Sequence, residues 1–134
     1  MIEFFAVEDV LEFHKEQIDL YGGSHGVRDR GLFEAALAMP SSGFGSHFFH
    51  AFPFEMAAAY LFHIVQNHPF IDGNKRTGLP TCLFFLALHG LQIEVDVNEL
   101  EQFVRAVAAG EIGKTEIARF LRIHAQNFPS MRLD

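Results

Sequence analysis

Between residues 67 and 78 the chain reads Asn67-His-Pro-Phe-Ile-Asp-Gly-Asn-Lys-Arg-Thr-Gly78. This stretch brings an imidazole, a carboxylate, a Gly-Asn turn and two adjacent cations close together, and those are the parts of a phosphoryl-transfer site. Asp72 is its one carboxylate, a hard oxygen ligand of the kind that magnesium prefers beside a polyphosphate. Gly73 permits a tight turn, after which the backbone N–H groups of Asn74, Lys75 and Arg76 would open a helix pointing at an anion. Arg76 can grip phosphate oxygens as a fork, and Lys75 adds a point charge on a flexible stem. His68 suits a general base, because an imidazole with a reference pKa of about 6.5 is largely neutral at cellular pH and can take a hydroxyl proton. A single histidine after a helix, or an Asp-Gly-Asn turn alone, is ordinary; the spacing of all of them together is what carries the reading.

The loop needs two helices to hold it. Pro53 suits the first residue of a helix over 53–66, with Phe54, Ala57, Ala58, Leu61, Phe62 and Val65 facing inward and a small Ala57-Ala-Ala59 patch for close helix approach. A largely apolar helix over 74–89 follows the loop and stops at Gly90. Phe70 should anchor the loop into the core. Upstream, Val7, Val10, Leu11, His14, Ile18 and Tyr21 recur at helical spacing and predict an amphipathic helix over 7–21, ended by the glycines at 22 and 23. Asp29 can cap a short helix over 30–38.

Residues 41–52 combine two glycines with crowded Phe and His rings and no clean period. They read either as a plug for the core or as a segment that covers or binds something. Downstream, 92–95 reads as a short extended segment. Asp96, with Glu99 three residues on, marks a helix to about 108, and Thr115 can cap a last helix reaching 125. Residues 127–134 read as a frayed end or an attachment point. The sum is an all-α chain, a helical bundle around a central apolar helix, in one domain over 1–134.

Composition sets outer limits. With 134 residues the chain suits one core, and 16 Phe against no Trp predict packing by phenyl rings. A net charge of −7 argues against non-specific nucleic-acid binding, which draws on many Lys and Arg contacts. One cysteine, Cys82, allows neither a disulfide framework nor a cysteine-based zinc site within one chain. The acidic N-terminus lacks a signal-peptide pattern and no apolar run is long enough to span a bilayer, so the expectation is a soluble, cytoplasmic protein without a membrane segment.

The 68–76 stretch resembles the signature of the Fic/Doc superfamily, with every position filled. The likeness extends to Phe13-His14 through Tyr21-Gly-Gly-Ser, to Gly26-Val-Arg-Asp-Arg-Gly-Leu, to Glu34-Ala-Ala-Leu, to Phe54-Glu-Met-Ala-Ala-Ala-Tyr60 and to Ala109-Gly-Glu-Ile-Gly. These are similar to the death-on-curing toxins of toxin-antitoxin systems and cover nearly the whole chain. The resemblance implies the Fic/Doc helical fold, ATP and Mg2+ as co-substrate and metal, and His68, Asp72 and Arg76 as catalytic residues. It further implies Asp72 as the magnesium ligand, Gly73, Asn74, Lys75 and Arg76 as the phosphate cradle, and 41–52 as a flap holding the target polypeptide as a strand.

Within the superfamily, members that attach AMP usually carry Gly after the Asn of the motif. Death-on-curing members carry Lys, as here at Lys75, which implies a reversed nucleotide presenting its gamma phosphate and hence a protein kinase. In the phage-type branch the acceptor is a threonine of elongation factor Tu. No inhibitory Ser/Thr-x-x-x-Glu-Gly/Asn helix is present in the sequence, so the resemblance implies control by a separate small antitoxin whose disordered tail folds on binding.

Adenylyl transfer, using the same His68, Asp72 and Arg76, is the alternative chemistry. Zinc hydrolysis through His47, His50, His63 and His68 lacks a His-Glu-x-x-His pattern. A catalytically weak, antitoxin-binding module is the third alternative, and it draws on Pro80. That residue falls inside the helix after the loop, where it predicts either a kink behind the phosphate cradle or an irregular first turn, at a typical cost of ~3 kcal/mol.

Overall fold

The structure is a computed structural model and describes residues 1–128. Its elements are α1 (Val7–Tyr21), α2 (Arg30–Ala38), β1 (Gly43–Phe44), β2 (His47–Phe48), α3 (Phe54–Asn67), α4 (Asn74–Leu88), β3 (Leu91–Ile93), α5 (Val97–Ala108), α6 (Lys114–His124) and β4 (Ala125–Asn127). The fold is mostly helical, with two short antiparallel strand pairs, β1–β2 and β3–β4.

The central place belongs to α3, which packs against α2, α4, α5 and α6. Its residues from Met56 to Leu61 are all fully buried, as is Ile64. A one-sided stripe could not satisfy neighbours on every side, so the helix is apolar nearly all round. Gly78 lets α4 lie close: a Cβ there would stand 3.0 Å from Val65 Cγ2. Pro53 is the cap of α3 rather than its first helical residue, and the helix begins one residue later than expected.

The α4 helix runs unbroken from Asn74 to Leu88 with Pro80 inside it. Pro80 therefore neither ends the helix nor stops its first turn from forming. Burial of Thr77, Gly78, Thr81, Cys82, Phe85 and Leu86 against the bundle compensates for the hydrogen bond that proline cannot make. Burial also pushes the Cys82 thiol pKa up.

Asp29 caps α2 through Leu32 N–H at 2.9 Å, and Asp96 caps α5 through Asn98 N–H at 3.1 Å and Glu99 N–H at 3.3 Å, both as expected. Three local expectations are corrected. Tyr21, assigned to the buried face of α1, is 70% exposed, because the core no longer reaches the helix end. The last helix is capped by Gly113 rather than Thr115, with the Glu116 carboxylate accepting from Gly113 N–H at 3.3 Å. That helix also stops at His124, where Ala125 turns extended so that β4 can pair with β3, Leu91 opposite Asn127 and Ile93 opposite Ala125. Asn127 is thus paired rather than frayed, and 129–134 lie outside the described residues.

Phe33, Phe70 and Phe85 are fully buried, whereas Phe44, Phe48, Phe49 and Phe52 of the 41–52 segment are exposed. That segment is a surface hairpin, β1–β2, rather than a core plug. Its C-terminal end is tied down at His50. The ammonium of Lys114 donates to His50 Nε2 and to His63 Nε2, both at 3.0 Å. Burial, followed by the neighbouring Lys114 charge, holds both imidazoles below their ordinary pKa, His63 at about 4.

Stability should follow from this cluster. Above pH 6.5 His63 is neutral in folded and unfolded chains alike and contributes no pH dependence. Between pH 6.5 and about 4 the unfolded chain takes up a proton that the folded chain resists, so stability falls as pH falls and levels off below. Thermal melts from pH 7.5 to 4 should show His63→Gln losing less melting temperature than wild type across that window, with parallel curves above it. Curves parallel throughout would remove His63 as the cause.

Candidate active site

The α3 helix ends at Asn67, and His68 turns the chain with left-handed angles of φ 50° and ψ 52°. It is the one non-glycine residue with positive φ among the described residues. For a side chain with a Cβ that conformation costs ~1–2 kcal/mol, so something must hold it. The 22–29 connection between α1 and α2 does so. Arg28 Nε donates to the His68 carbonyl at 2.8 Å and its Nη2 to the Asn67 carbonyl at 3.1 Å. The Pro69 carbonyl accepts from Arg28 N–H at 2.7 Å and Asp29 N–H at 3.0 Å, and Ile71 N–H donates to the Gly26 carbonyl at 3.1 Å.

Below this strap the loop is nailed into the core. Phe70 is fully buried and stacks on His14, with ring centroids 3.9 Å apart at 5°. His14 Nε2 donates to the Asp72 carbonyl at 2.8 Å. The imidazole must carry its proton there, and burial, the largest cause, lowers its pKa and keeps it neutral.

Asn74 is clamped to the same segment. Its Oδ1 accepts from Phe70 N–H at 2.9 Å and its Nδ2 donates to the Phe70 carbonyl at 3.1 Å, which fixes the orientation of the amide. The remaining Nδ2 hydrogen meets His68 Nδ1 at 2.9 Å. An amide nitrogen can only donate, so Nδ1 accepts and the neutral His68 ring carries its proton on Nε2.

The Asp72 carboxylate accepts from Gly73 N–H at 2.9 Å and Ser24 N–H at 3.3 Å and lies 3.9 Å from Arg76 Nη2. Arg76 Nη1 donates to the Gly22 carbonyl at 2.9 Å. Gly73, at φ 78°, caps α4 with no side chain to satisfy the first turn. The N–H groups of that turn are accordingly open to an anion, where the helix dipole favours negative charge.

All six expected residues, His68, Asp72, Gly73, Asn74, Lys75 and Arg76, line one cavity of about 340 Å³, closed on its apolar side by Val65, Ile71 and Ala108. The donor set fits a polyphosphate: two cations, open N–H groups and one carboxylate that is half exposed and free to take a magnesium ion. Among the described residues no three His, Cys, Asp or Glu side chains gather as metal ligands. His50 and His63 instead meet across Lys114, far from the zinc arrangement weighed above.

Sequence reasoning missed His14, Gly22, Gly23, Ser24 and Arg28 as parts of the site. The signal for the glycines, Ser24 and Arg28 was present in the Gly22-Gly-Ser and Gly26-Val-Arg runs, which served only to end a helix or to mark a resemblance, and His14 was read only as part of a helix face and of that resemblance. Gly23 shows why a glycine is needed: at φ +113° its Cβ would stand 2.5 Å from Asp72 Oδ2 and 3.0 Å from Arg76 Nη2.

A six-helix bundle with a His-to-Arg loop leading from its central helix, α3, into a helix α4 whose first turn has no side-chain cap defines the class. Residues 4–86 match the Fic/DOC family, and the chain belongs to it. Among its relatives is the protein kinase doc of Escherichia phage P1, 34% identical over 115 residues, which span 86% of this chain and 90% of that protein. Another is the toxin Doc of Mycolicibacterium smegmatis, 35% identical over 123 residues, 88% of this chain and 90% of that protein.

Two outcomes are expected. Nitrogen-15 spectra of the imidazoles should place the neutral His68 proton on Nε2, and Asn74→Ala should release the ring into a mixture of tautomers; an Nδ1-protonated ring in the wild type would overturn the assignment. Gly23→Ala should destabilise the fold by at least ~1 kcal/mol, from the positive φ alone. It should also displace Asp72 and Arg76, visible as a loss of phosphate binding larger than the change in melting temperature explains.

Proposed function

We propose that this chain is a Doc-type toxin, a cytoplasmic protein kinase of one domain that transfers the gamma phosphate of ATP to a hydroxyl of a translation component, with elongation factor Tu as the expected acceptor. The observation that carries the reading is the convergence of His68, Asp72, Lys75 and Arg76 on one cavity at the open end of α4. Lys75 directly after Asn74, together with the similarity to a relative named as a protein kinase, favours gamma-phosphoryl over adenylyl transfer.

In this reading the N–H groups of the first turn of α4, with Lys75 and Arg76, hold the phosphate oxygens and offset the charge that builds on the transferred group. Asp72 would hold a magnesium ion, whose charge would offset part of the negative charge on the phosphates. Arg76 must exchange the Gly22 carbonyl for phosphate, a step eased by the exposure of that end of its side chain. The acceptor oxygen forms a bond to the gamma phosphorus as the bridging oxygen to the beta phosphorus leaves with ADP, and the hydroxyl proton passes to His68.

His68 has a condition to meet. With Nδ1 bonded to Asn74, Nε2 of the neutral ring bears the proton, so the ring acts as a base only after exchanging tautomer and releasing Asn74 Nδ2, which keeps the Phe70 carbonyl as a partner. The exposed phenyl groups of the β1–β2 hairpin, with unpaired strand edges beside them, suit a flap that lays the target down as an added strand. Control falls to a separate antitoxin whose segment folds on the toxin.

Purified protein should be incubated with elongation factor Tu or lysate, Mg2+, and ATP labelled on the gamma or on the alpha phosphate. Label from the gamma position alone is the expected result; label from the alpha position would make the enzyme an adenylyltransferase. His68→Ala should lower transfer by ~10²–10⁴-fold without loss of fold, and unchanged transfer would sink the catalytic assignment.

A further inference from the structure

The β1–β2 hairpin cannot place itself. Each strand has two residues, all four exposed, paired as Gly43 with Phe48 and Phe44 with His47, and an isolated two-stranded hairpin is marginal in water. Its position is therefore set at its ends. At the first end Ser42 is held to the close of α2, its N–H donating to the Met39 carbonyl at 3.1 Å and its hydroxyl to the Ala38 carbonyl at 2.8 Å. At the second end Phe49 N–H donates to the Ser42 carbonyl at 2.9 Å, and His50 follows, only 8% exposed.

What His50 meets there is Lys114, 64 residues further along the chain. The same ammonium reaches His63 on α3 and sits 5.7 Å from the centre of the Phe62 ring. An ammonium only donates, so both Nε2 atoms accept and both neutral rings carry their proton on Nδ1. For His50 that Nδ1 makes no well-formed hydrogen bond, which leaves Lys114 as the polar contact that fixes the ring. One side chain at the start of α6 thus joins the hairpin, α3 and α6.

We propose that Lys114 is a positioning residue for the protein acceptor: by clasping His50 and His63 together it sets the hairpin on which the acceptor strand is laid. The inference rests on the phosphoryl-transfer reading above and on the part given there to the hairpin, and it adds the residue that places the hairpin and the condition under which it lets go. A protonated imidazole cannot accept from an ammonium and would set a second positive charge beside the first. The clasp is therefore complete at neutral pH and opens as pH falls through the folded-state values of the two rings, which lie below 6.5 for both. The groups facing the pair act in both directions. Burial and the Lys114 charge keep both rings neutral, and His50 adds to this at His63, whereas Glu55 and the Met39 carbonyl favour the charged form of His50. Arg122 lines the same small cavity of about 220 Å³ as His50, Glu55 and Lys114 and adds positive charge there.

The test combines amide hydrogen exchange on the whole chain with steady-state transfer of label from gamma-labelled ATP to elongation factor Tu. Lys114→Met removes the donor, Lys114→Arg keeps one, and His50→Gln keeps an acceptor that does not titrate; melting curves confirm the fold of each. In Lys114→Met the hairpin amides, Phe49 among them, should exchange about tenfold faster while those of α3 and α4 do not change. The KM for the acceptor should rise about tenfold with kcat and the KM for ATP unaltered, and Lys114→Arg should stay near wild type. From pH 7.5 to 5 the wild-type KM for the acceptor should climb, and His50→Gln should flatten that climb. Hairpin amides that exchange at the wild-type rate in Lys114→Met would overturn the inference and leave the transfer reading standing. Faster exchange with an unchanged KM for the acceptor would overturn it equally, because the hairpin would then move without consequence for binding. A wild type that transfers no label to elongation factor Tu or to lysate would sink the transfer reading, and this inference with it.

Discussion

The site depends on the burial of Phe70. A loop that must present an imidazole, a carboxylate and open backbone N–H groups to solvent has little of its own to hold it, and His68 adds strain by turning left-handed. Burying a phenyl side chain contributes ~1.5–3 kcal/mol, enough to offset a conformational cost of ~1–2 kcal/mol. Phe70 does this between the His14 ring on one side and Phe33 on another, with centroids 3.9 and 5.0 Å away. Because Asn74 bonds both backbone groups of Phe70, the same anchor sets the first residue of α4, and through it the direction of the open N–H groups of its first turn. One aromatic ring thus fixes both ends of the loop.

Much of the architecture was legible because its signals are local. Helical spacing over 7–21, the Asp29 and Asp96 caps and the apolar runs on either side of the loop each lie within a few residues of the element they specify. So were the cavity residues, since they are consecutive in sequence and a helix start necessarily gathers them. What could not be read is non-local. Nothing near Leu91 says that Ala125–Asn127 will pair with it, and nothing in the Gly-Gly-Ser run says that its backbone will meet Asp72 and Arg76 about fifty residues on. Arg28 entered the sequence reading only within a run that marks the family resemblance; only the fold brings it to the carbonyls of Asn67 and His68.

Pro80 shows where propensity and context part. In isolation it argues for a broken or kinked helix, yet α4 accepts it because one face of that helix is pressed into the core while Pro80 faces an open cleft beside α5. The 41–52 segment parts from expectation in a similar way. Its phenyl rings, which by composition could have filled the interior, remain largely outside because Met56, Tyr60 and Leu61 of α3 and Phe85 and Leu86 of α4 already fill the centre.

The charges of the site are held loosely, and that bears on its readiness. Arg76 and Asp72 lie 3.9 Å apart with 36% and 49% of their side chains exposed, and ion pairs in such surroundings stabilise little. A buried, bidentate pair would resist separation by several kcal/mol, and its partners would be lost to phosphate and metal alike. Arg76 is instead steered by a single carbonyl, that of Gly22, and Asp72 by two backbone N–H groups. These contacts hold position without consuming the charge, because a neutral partner is given up more easily than an ion. An acidic chain of net charge −7 can thereby keep a local positive cavity at one helix end: Arg76 is oriented by the Gly22 carbonyl and only loosely paired with Asp72.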